Sequence, residues 1–301
     1  MADRRAVRRV GLAAAAGLAA AVGVAIAGRR ARPGGSVPTE IAPGVFCIGP
    51  SGWTQTNVYL VQAGTTWMLV DAGWAGDTDR IAAAVGQVVG SDTMPGAIVL
   101  THVHPDHAGA VRALAGRWRC PVLVHPAELP IARGEFDAMV RFAGPLDRRM
   151  ILPLMRAIGS ERREAAIARS RLIGVVRPLD LDGTIPGLDG WAWIATPGHT
   201  PGHISLVRTA DRVVLTGDAL VTLRVNAVSG FLLGRQGLSG PPWYTTWDGP
   251  AARASIRAIA ALRPAVIGGG HGRPLVGLGV DDAVAAFAEG LDQPAGGHPR
   301  T

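Results

Sequence analysis

The chain has 301 residues, and its 30 basic residues outnumber 23 acidic ones, which gives a formal charge of +7 at neutral pH. An apolar fraction of 48% excludes an intrinsically disordered chain. The positive charge, all of it arginine, is concentrated in residues 1–32 and 141–177, and the second segment contains a single aromatic residue, Phe142. Because a nucleic-acid surface needs a basic stripe with interleaved aromatic residues, we expect no nucleic-acid partner.

The first 35 residues differ in composition from the rest of the chain. Four arginines precede an uncharged, Ala- and Gly-rich run at residues 10–27, and three more arginines follow it. This pattern predicts an export signal, with a small-residue cleavage site at residues 25–27, or a retained membrane anchor, followed by a linker. We therefore expect an exported or membrane-anchored protein that contacts the membrane through this segment, with the cytoplasmic face as the remaining alternative.

Short apolar runs and amphipathic stretches alternate from residue 36 onward. In chain order, the patterns predict strands at VFCIG, NVYLVQ and TWMLVDAG, a helix from residue 78 to about 89, a strand at AIVL, a helix beginning near Val111 and a strand at PVLVH. Further strands are predicted at LDLDG, WAWIA, HISLV, RVVLTGDA and AVIGG, and helices at AARASIRAIAAL and DDAVAAFAEGL. Strands mixed with helices on both faces predict a layered α/β domain over residues 36–292, followed by a flexible tail at 293–301.

A second arginine-rich stretch interrupts this alternation. Residues 127–176 are predicted to form a helical insertion, and residues 141–177 carry nine arginines against three acidic residues. A lid over a site, a membrane-facing helix and an ordinary solvated helical face are the alternatives for its role.

The stretch THVHPDHAGA, residues 101–110, holds three of the chain's eight histidines within six positions. His102 and His104 are two residues apart and point the same way on an extended backbone, whereas a helix that begins after them turns Asp106 and His107 in a second direction. Histidine is the commonest ligand of zinc-like ions, and carboxylates also bind them. The loop therefore predicts ligands for two metal ions.

Three later stretches, each after an apolar strand-like run, carry further candidate ligands. TPGHTPGH supplies His199 and His203, TGD supplies Asp218, and GGGHG supplies His271. Glycine beside each of them allows the close backbone approach and unusual dihedral angles that metal loops need. Together with the histidine loop, these stretches offer enough ligands for two ions that share one carboxylate.

These motifs, over about residues 40–290, resemble those of the metallo-β-lactamase fold superfamily. The resemblance implies an αββα four-layer sandwich with the site at one edge between two sheets. It implies that Asp71 supports the histidine loop without binding a metal ion itself. It also implies a structural role for His203, which lies at the start of the next predicted strand. The ligand set that it implies is His102, His104 and His199 for one ion, Asp106, His107 and His271 for the other, and Asp218 as the bridge.

The resemblance also implies a reaction. Two divalent metal ions, with Zn²⁺ expected and Fe or Mn as alternatives, would generate a metal-bound hydroxide that attacks the carbonyl of an ester, thioester or lactone in a small-molecule substrate. Asp106 and Asp218 are the candidate catalytic residues because either carboxylate can accept or relay the proton. Val221 stands where lactone hydrolases of the superfamily have tyrosine. A mononuclear iron enzyme like the persulfide dioxygenases and a phosphodiester hydrolase are the alternatives.

One loop bears on the substrate. Residues 230–247 lie between the candidate bridging aspartate and the last candidate histidine ligand, and we hypothesise that they line an apolar acyl pocket. An ordinary packed surface loop is the alternative. The large apolar and aromatic residues of this loop are Phe231, Leu232, Leu233, Trp243, Tyr244 and Trp247.

Overall fold

The computed structural model describes residues 37–91 and 93–291. The predicted export signal or anchor at 1–35 and the predicted tail at 293–301 lie outside the described residues. Within the described residues, no helix combines the length and the apolar character needed to cross a membrane.

The first sheet contains seven strands in the order in which they follow each other in the chain. The first four strands pair antiparallel, and the last four pair parallel. The fifth and sixth strands are completely apolar, because parallel strands at the centre of a layered sheet are covered on both faces. The strands are β1 (Thr39–Ala42), β2 (Val45–Ser51), β3 (Thr56–Ala63), β4 (Thr66–Val70), β5 (Ala97–Val99), β6 (Val122–Val124) and β7 (Val176–Pro178).

The second half of the chain supplies a second sheet and a small hairpin. The strands are β8 (Ala192–Ala195), β9 (Ile204–Arg208), β10 (Val213–Gly217), β11 (Val221–Leu223), β12 (Gln236–Ser239), β13 (Val266–Gly269) and β14 (Leu275–Val276). The second sheet has the order β14-β13-β10-β9-β8, and β11 pairs with β12. Only β10 and β13 are parallel neighbours in the second sheet; the other pairs are antiparallel.

Helices cover the outer face of each sheet. The α-helices are α1 (Thr78–Val89), α2 (Pro105–Ala108), α3 (Val111–Trp118), α4 (Leu129–Ala132), α5 (Phe136–Arg141), α6 (Leu152–Ala157), α7 (Ser160–Ser170), α8 (Val228–Leu232), α9 (Gly249–Ala261) and α10 (Val280–Gly290). Apolar residues of α1 and α3 pack on the first sheet, and those of α9 and α10 pack on the second. A third apolar cluster, including Val61 and Leu215, lies between the sheets. The layers therefore form the αββα sandwich that the resemblance to the metallo-β-lactamase fold implies.

The helix α1 illustrates why the sequence folds as predicted where its pattern is strong. Ile81, Ala84 and Val85 lie on one face at helical spacing and are buried, and the helix ends at Gly90, whose φ of +85° is the left-handed conformation that glycine adopts readily. The predicted limits of this helix are confirmed.

The prediction of a strand at LDLDG is wrong. The edge strand β7 ends at Pro178, before this stretch, and residues 181–183 form a turn and a bend. The carboxylate of Asp182 accepts hydrogen bonds from the N–H and the hydroxyl of Thr184, at 2.9 and 2.7 Å. This local bonding competes with sheet formation, as is common for aspartate. The sequence patterns also gave no prediction of the short strands β1, β7, β11, β12 and β14.

The segment predicted as a helical insertion, residues 127–176, contains α4 to α7 and a π-helical turn at Asp147–Ile151, but its last residue, Val176, already begins strand β7. It is not separate from the core. Ala132 and Leu172 are buried in the cluster that covers the outer face of the first sheet. The segment is therefore anchored at both ends in the domain.

Candidate metal centre

All five loops that carry candidate ligands or their supports lie at one edge of the two sheets. Asp71 directly follows β4, and the histidine loop follows β5, which is parallel to β4. In the second sheet, residues 196–203 follow β8, Asp218 follows β10 and His271 closely follows β13. Because β8, β10 and β13 run in the same direction, their carboxyl ends meet at this edge.

The seven predicted ligand residues converge at this edge. Their potential donor atoms form three groups, and within each group all donor atoms lie within 4.8 Å of one another. Asp218 lies between the groups: its Oδ1 is 3.2 Å from His107 Nε2, and its Oδ2 is 3.4 Å from His199 Nε2 and 3.3 Å from His271 Nε2. The groups are His102, His104 and His199; His102, His107 and Asp218; and Asp106, His107 and His271.

Four polar atoms in this cluster are buried without a hydrogen-bond partner in the described part of the chain. They are the Nε2 atoms of His102, His107 and His199 and the Oδ1 atom of Asp218. An unpaired buried polar group costs about 1–3 kcal/mol, and the contact of His107 Nε2 with Asp218 Oδ1 at 3.2 Å offsets this cost only when His107 is protonated. Imidazole nitrogens and a carboxylate oxygen are ligands of divalent transition metals. The donor set therefore fits metal binding.

The other ring nitrogen of four histidines is held by the protein. At His107 and His271 the acceptors are a carboxylate and a carbonyl, which fix the proton on Nδ1 and leave Nε2 directed at the cluster. At the other two the partner is a threonine hydroxyl. The contacts are His102 Nδ1 to Thr101 Oγ1 at 3.0 Å, His107 Nδ1 to Asp71 Oδ2 at 2.8 Å, His199 Nδ1 to Thr246 Oγ1 at 3.2 Å and His271 Nδ1 to Thr54 O at 2.8 Å.

Asp71 lies beneath the histidine loop, where the resemblance places it. Its Oδ1 accepts a hydrogen bond from the backbone N–H of Thr101 at 2.8 Å, and its Oδ2 accepts from the Thr101 hydroxyl and from His107. The residue has a φ of +63°, a left-handed conformation that directs the buried carboxylate toward the loop. Asp71 thus orients one candidate ligand and fixes the start of the loop.

The histidines of the cluster fall into two pairs with opposite pKa shifts, His102 with His199 and His107 with His271. Burial, and then the neighbouring histidines, lower the pKa of His102 well below its ordinary value; burial does the same for His199. Burial also acts to lower the pKa of His107 and of His271, but nearby carboxylates, Asp218 foremost, outweigh it and raise both. His102 and His199 are therefore neutral and can bind a cation directly, whereas His107 and His271 would have to release protons when a cation binds.

His203, the second histidine of TPGHTPGH, lies outside these groups. Its Nε2 accepts a hydrogen bond from the backbone N–H of Asp218 at 3.0 Å, and its Nδ1 contacts the Thr196 hydroxyl at 2.8 Å. Burial lowers the pKa of His203 to about 3, so the ring is neutral. A Cβ at Gly217 would lie 2.8 Å from this Nε2, which explains the glycine before Asp218.

No local sequence pattern predicts a role for Glu128, which lies at the start of the segment 127–176. This carboxylate is fully buried and joins two ligand loops: it accepts hydrogen bonds from the N–H of Val103 at 3.1 Å and of Gly202 at 2.8 Å. Its partners are 25 and 74 residues away, so no local spacing could reveal the contact. His125 belongs to none of the three groups, and its Nδ1 accepts a hydrogen bond from the N–H of Ala127.

A cavity of about 580 Å³ opens above the cluster. Its floor includes His104, His199 and Asp218, and no arginine is among the described residues that line it. The hypothesis that residues 230–247 line an apolar pocket holds for part of that loop. The apolar and aromatic walls are formed by Trp53, Trp74, Leu146, Val225, Val228, Phe231, Leu232, Trp243 and Tyr244.

Known proteins are similar to this chain in sequence and in fold. The family model of the metallo-beta-lactamase superfamily matches residues 51–271. The chain belongs to this superfamily. The probable metallo-hydrolase YflN of Bacillus subtilis is 37% identical over 224 residues, which are 73% of this chain and 82% of YflN. The superfamily member described here is thus a metallo-hydrolase with a candidate divalent-metal centre.

Two further relatives carry information on bound metal and on substrate. The crystal structure of TTHA1623 in a di-iron-bound form superposes with a TM-score of 0.51 at 29% identity and covers 79% of this chain and 97% of TTHA1623. A hydroxyacylglutathione hydrolase of Acidiphilium cryptum is 27% identical over 221 residues, which are 73% of this chain and 68% of that enzyme.

Proposed function

We propose that this superfamily member is a dinuclear metal-dependent hydrolase that cleaves an ester, thioester or lactone bond in a small molecule with an apolar acyl part. The observation that carries the proposal is that four residues of the histidine and aspartate cluster form the floor of a cavity with largely apolar walls; they are His104, His199, Asp218 and His271. The similarity to a hydroxyacylglutathione hydrolase supports attack on a carbonyl carbon.

The residues that would hold the ions follow from the groups in the cluster. We assign Zn²⁺ as the ion; the two irons in TTHA1623 make iron the first alternative. Two divalent ions, when bound, would supply Lewis acidity at the substrate carbonyl and would lower the pKa of bound water toward neutrality. The proposed ligands are His102, His104 and His199 for the first ion, Asp106, His107 and His271 for the second, and Asp218 for both.

Two carboxylates of the chain are placed to move protons. Asp106 reaches the cavity with a side chain that is 17% exposed, and its Oδ2 lies 3.4 Å from His271 Nε2. Asp218 is part of the cavity floor but is only 2% exposed, and its backbone N–H donates a hydrogen bond to His203. We assign to Asp106 the transfer of a proton toward the leaving group, because it combines contact with the cluster and access to the cavity.

The walls of the cavity favour an acyl substrate over a phosphodiester. A phosphodiester carries a negative charge that arginine or lysine side chains normally bind, and the described residues that line this cavity include neither. The aromatic walls instead exclude water from the reacting bond and bury the apolar part of the substrate.

The test measures metal content and turnover on the same preparation. We expect about two zinc ions per chain and hydrolysis within a panel of aryl esters, thioesters and lactones. The variants His104→Ala and Asp218→Ala should lose both bound metal and turnover. Full hydrolysis by metal-loaded forms of either variant would contradict the assignment. One iron per chain with oxygen consumption and no hydrolysis would replace it with the persulfide-dioxygenase alternative.

A further inference from the structure

Large apolar side chains surround the mouth of the cavity and remain exposed to solvent. Val228 is 79% exposed, Leu232 is 72% exposed and Trp243 is 58% exposed, although all three line the cavity. Soluble surfaces rarely carry so many large apolar side chains in one place unless the place binds something apolar. We call the following set the rim patch: Trp53, Trp74, Leu146, Val228, Leu232 and Trp243.

The apolar surface continues along the arginine-rich segment. From Leu146, the helical turns at residues 147–157 expose Met150, Ile151 and Leu154, of which Leu154 is 61% exposed. Leu152 of the same turns is buried. The helical turns therefore present one apolar side to the domain and a second apolar side to solvent, which is unusual for a surface helix.

This segment and the rim patch belong to one fixed surface. The backbone N–H of Leu146 donates a hydrogen bond to the carbonyl of Tyr244 at 2.8 Å. The rings of Phe142 and Trp247 are 5.3 Å apart. A Cβ at Gly144 would lie 2.5 Å from the backbone of Thr245, so the two segments are in direct backbone contact.

Arginines lie among these apolar side chains. Arg148, Arg149 and Arg156 are exposed, and none of them forms an ion pair with an acidic residue of the described chain. Residues 141–177 contain nine arginines against three acidic residues. Long arginine side chains can leave apolar neighbours buried while their guanidinium groups reach phosphate headgroups.

We propose that the rim patch and the exposed face of residues 146–156 dock on the surface of an anionic lipid bilayer, with the cavity mouth turned toward the lipid. Apolar side chains would enter the boundary between headgroups and acyl chains, and the unpaired arginines would bind the anionic headgroups. A second copy is a poorer occupant, because a symmetric contact through this face would bring like-charged arginines together. The proposal does not depend on the proposed reaction. If the reaction is as proposed, docking would give the cavity access to amphiphilic substrates in the membrane.

Hydrogen exchange of the full chain, with and without lipid vesicles, tests the docking surface locally. We expect vesicles that contain phosphatidylglycerol to protect backbone amides in residues 146–157 and 228–243, and pure phosphatidylcholine vesicles to protect them far less. Because exchange is followed segment by segment, binding through any other part of the chain cannot produce protection at these residues. Absence of protection there with anionic vesicles overturns the proposal, whatever substrate the enzyme hydrolyses.

Two kinds of variant distinguish the contribution of the arginine charges to vesicle binding from that of the apolar side chains. Each of Arg148→Gln and Arg149→Gln should weaken the vesicle partition of this surface about fivefold, and Met150→Ser with Leu154→Ser should abolish the protection. The controls Arg117→Gln and Leu278→Ser change exposed residues that do not line the cavity and should have no effect. Equal loss in the controls, or protection that grows with protein concentration in the absence of lipid, would contradict a membrane surface; the second result would assign the face to a dimer.

Discussion

The ring of His203 holds the backbone of Asp218: its Nε2 accepts the Asp218 N–H at 3.0 Å, while its Nδ1 contacts Thr196. The ring is neutral because burial lowers its pKa to about 3. The first histidine of TPGHTPGH, His199, is thus a candidate ligand. The second, His203, positions Asp218, whose carboxylate lies within 3.4 Å of three candidate histidine ligands. This relationship explains why two histidines recur so closely in that loop.

The variant His203→Ala should bind metal 10–100-fold more weakly, because it leaves the Asp218 N–H without an acceptor and frees the aspartate. The variant His203→Gln places an amide oxygen near the position of Nε2 and should retain most of the affinity. Competition with a chelator measures both. Equal and complete loss in the two variants would show that His203 acts as a ligand or a core residue, and not as a hydrogen-bond acceptor.

Gly270, which precedes the candidate ligand His271, provides a second test of the role of Asp218. A Cβ at Gly270 would overlap Oδ1 of Asp218 and would lie 2.8 Å from His107 Cε1. The variant Gly270→Ala should therefore lower the metal content and the turnover at least tenfold, since the displaced carboxylate is the ligand that we propose for both ions. As a control, Gly116→Ala adds a methyl group in open space on α3 and should keep full metal content. Unchanged metal binding by Gly270→Ala would argue against a role for Asp218 as a bridge.

Glu128 should contribute to stability through the two loops that it joins. The variant Glu128→Ala leaves the N–H groups of Val103 and Gly202 without their acceptor, at about 1–3 kcal/mol for each. The variant Glu128→Gln keeps one acceptor oxygen and should lose about half as much. Urea unfolding of the metal-free forms measures the difference. Wild-type stability of Glu128→Ala would show that water replaces the carboxylate.

The same residue predicts a dependence on pH. Burial raises the pKa of Glu128 above its ordinary value of 4.5. The folded protein therefore holds this proton to a higher pH than the unfolded chain does, and the contribution of Glu128 to stability falls as the pH rises above about 4.5. Glutamine has no such proton, so the stability advantage of the wild type over Glu128→Gln should shrink between acidic and neutral pH. A growing advantage would contradict the sign of the shift.

The sequence predicts best those parts that depend on local patterns. The limits of α1 follow from its apolar spacing, and the histidine loop follows from residues that lie within six positions. Glu128 and Thr246 contact ligand loops that are distant in sequence, so only the folded chain reveals them. The turn at Asp182 shows that a local pattern can also mislead. The alternating pattern there is typical of a strand, but hydrogen bonds to one side chain favour a turn.

The exposed indole of Trp243 predicts the substrate range. Loss of this side chain in Trp243→Ala removes apolar surface at the cavity, and burying an aromatic side chain is worth about 1.5–3 kcal/mol. We therefore expect kcat/KM for monomeric long-chain acyl esters to fall about 10–100-fold, with little change for acetyl esters, which do not reach the rim. The control Leu181→Ala alters an exposed leucine that does not line the cavity and should leave both values unchanged. An equal loss for short and long acyl chains would place Trp243 in support of the metal centre, and not in the binding of the acyl group.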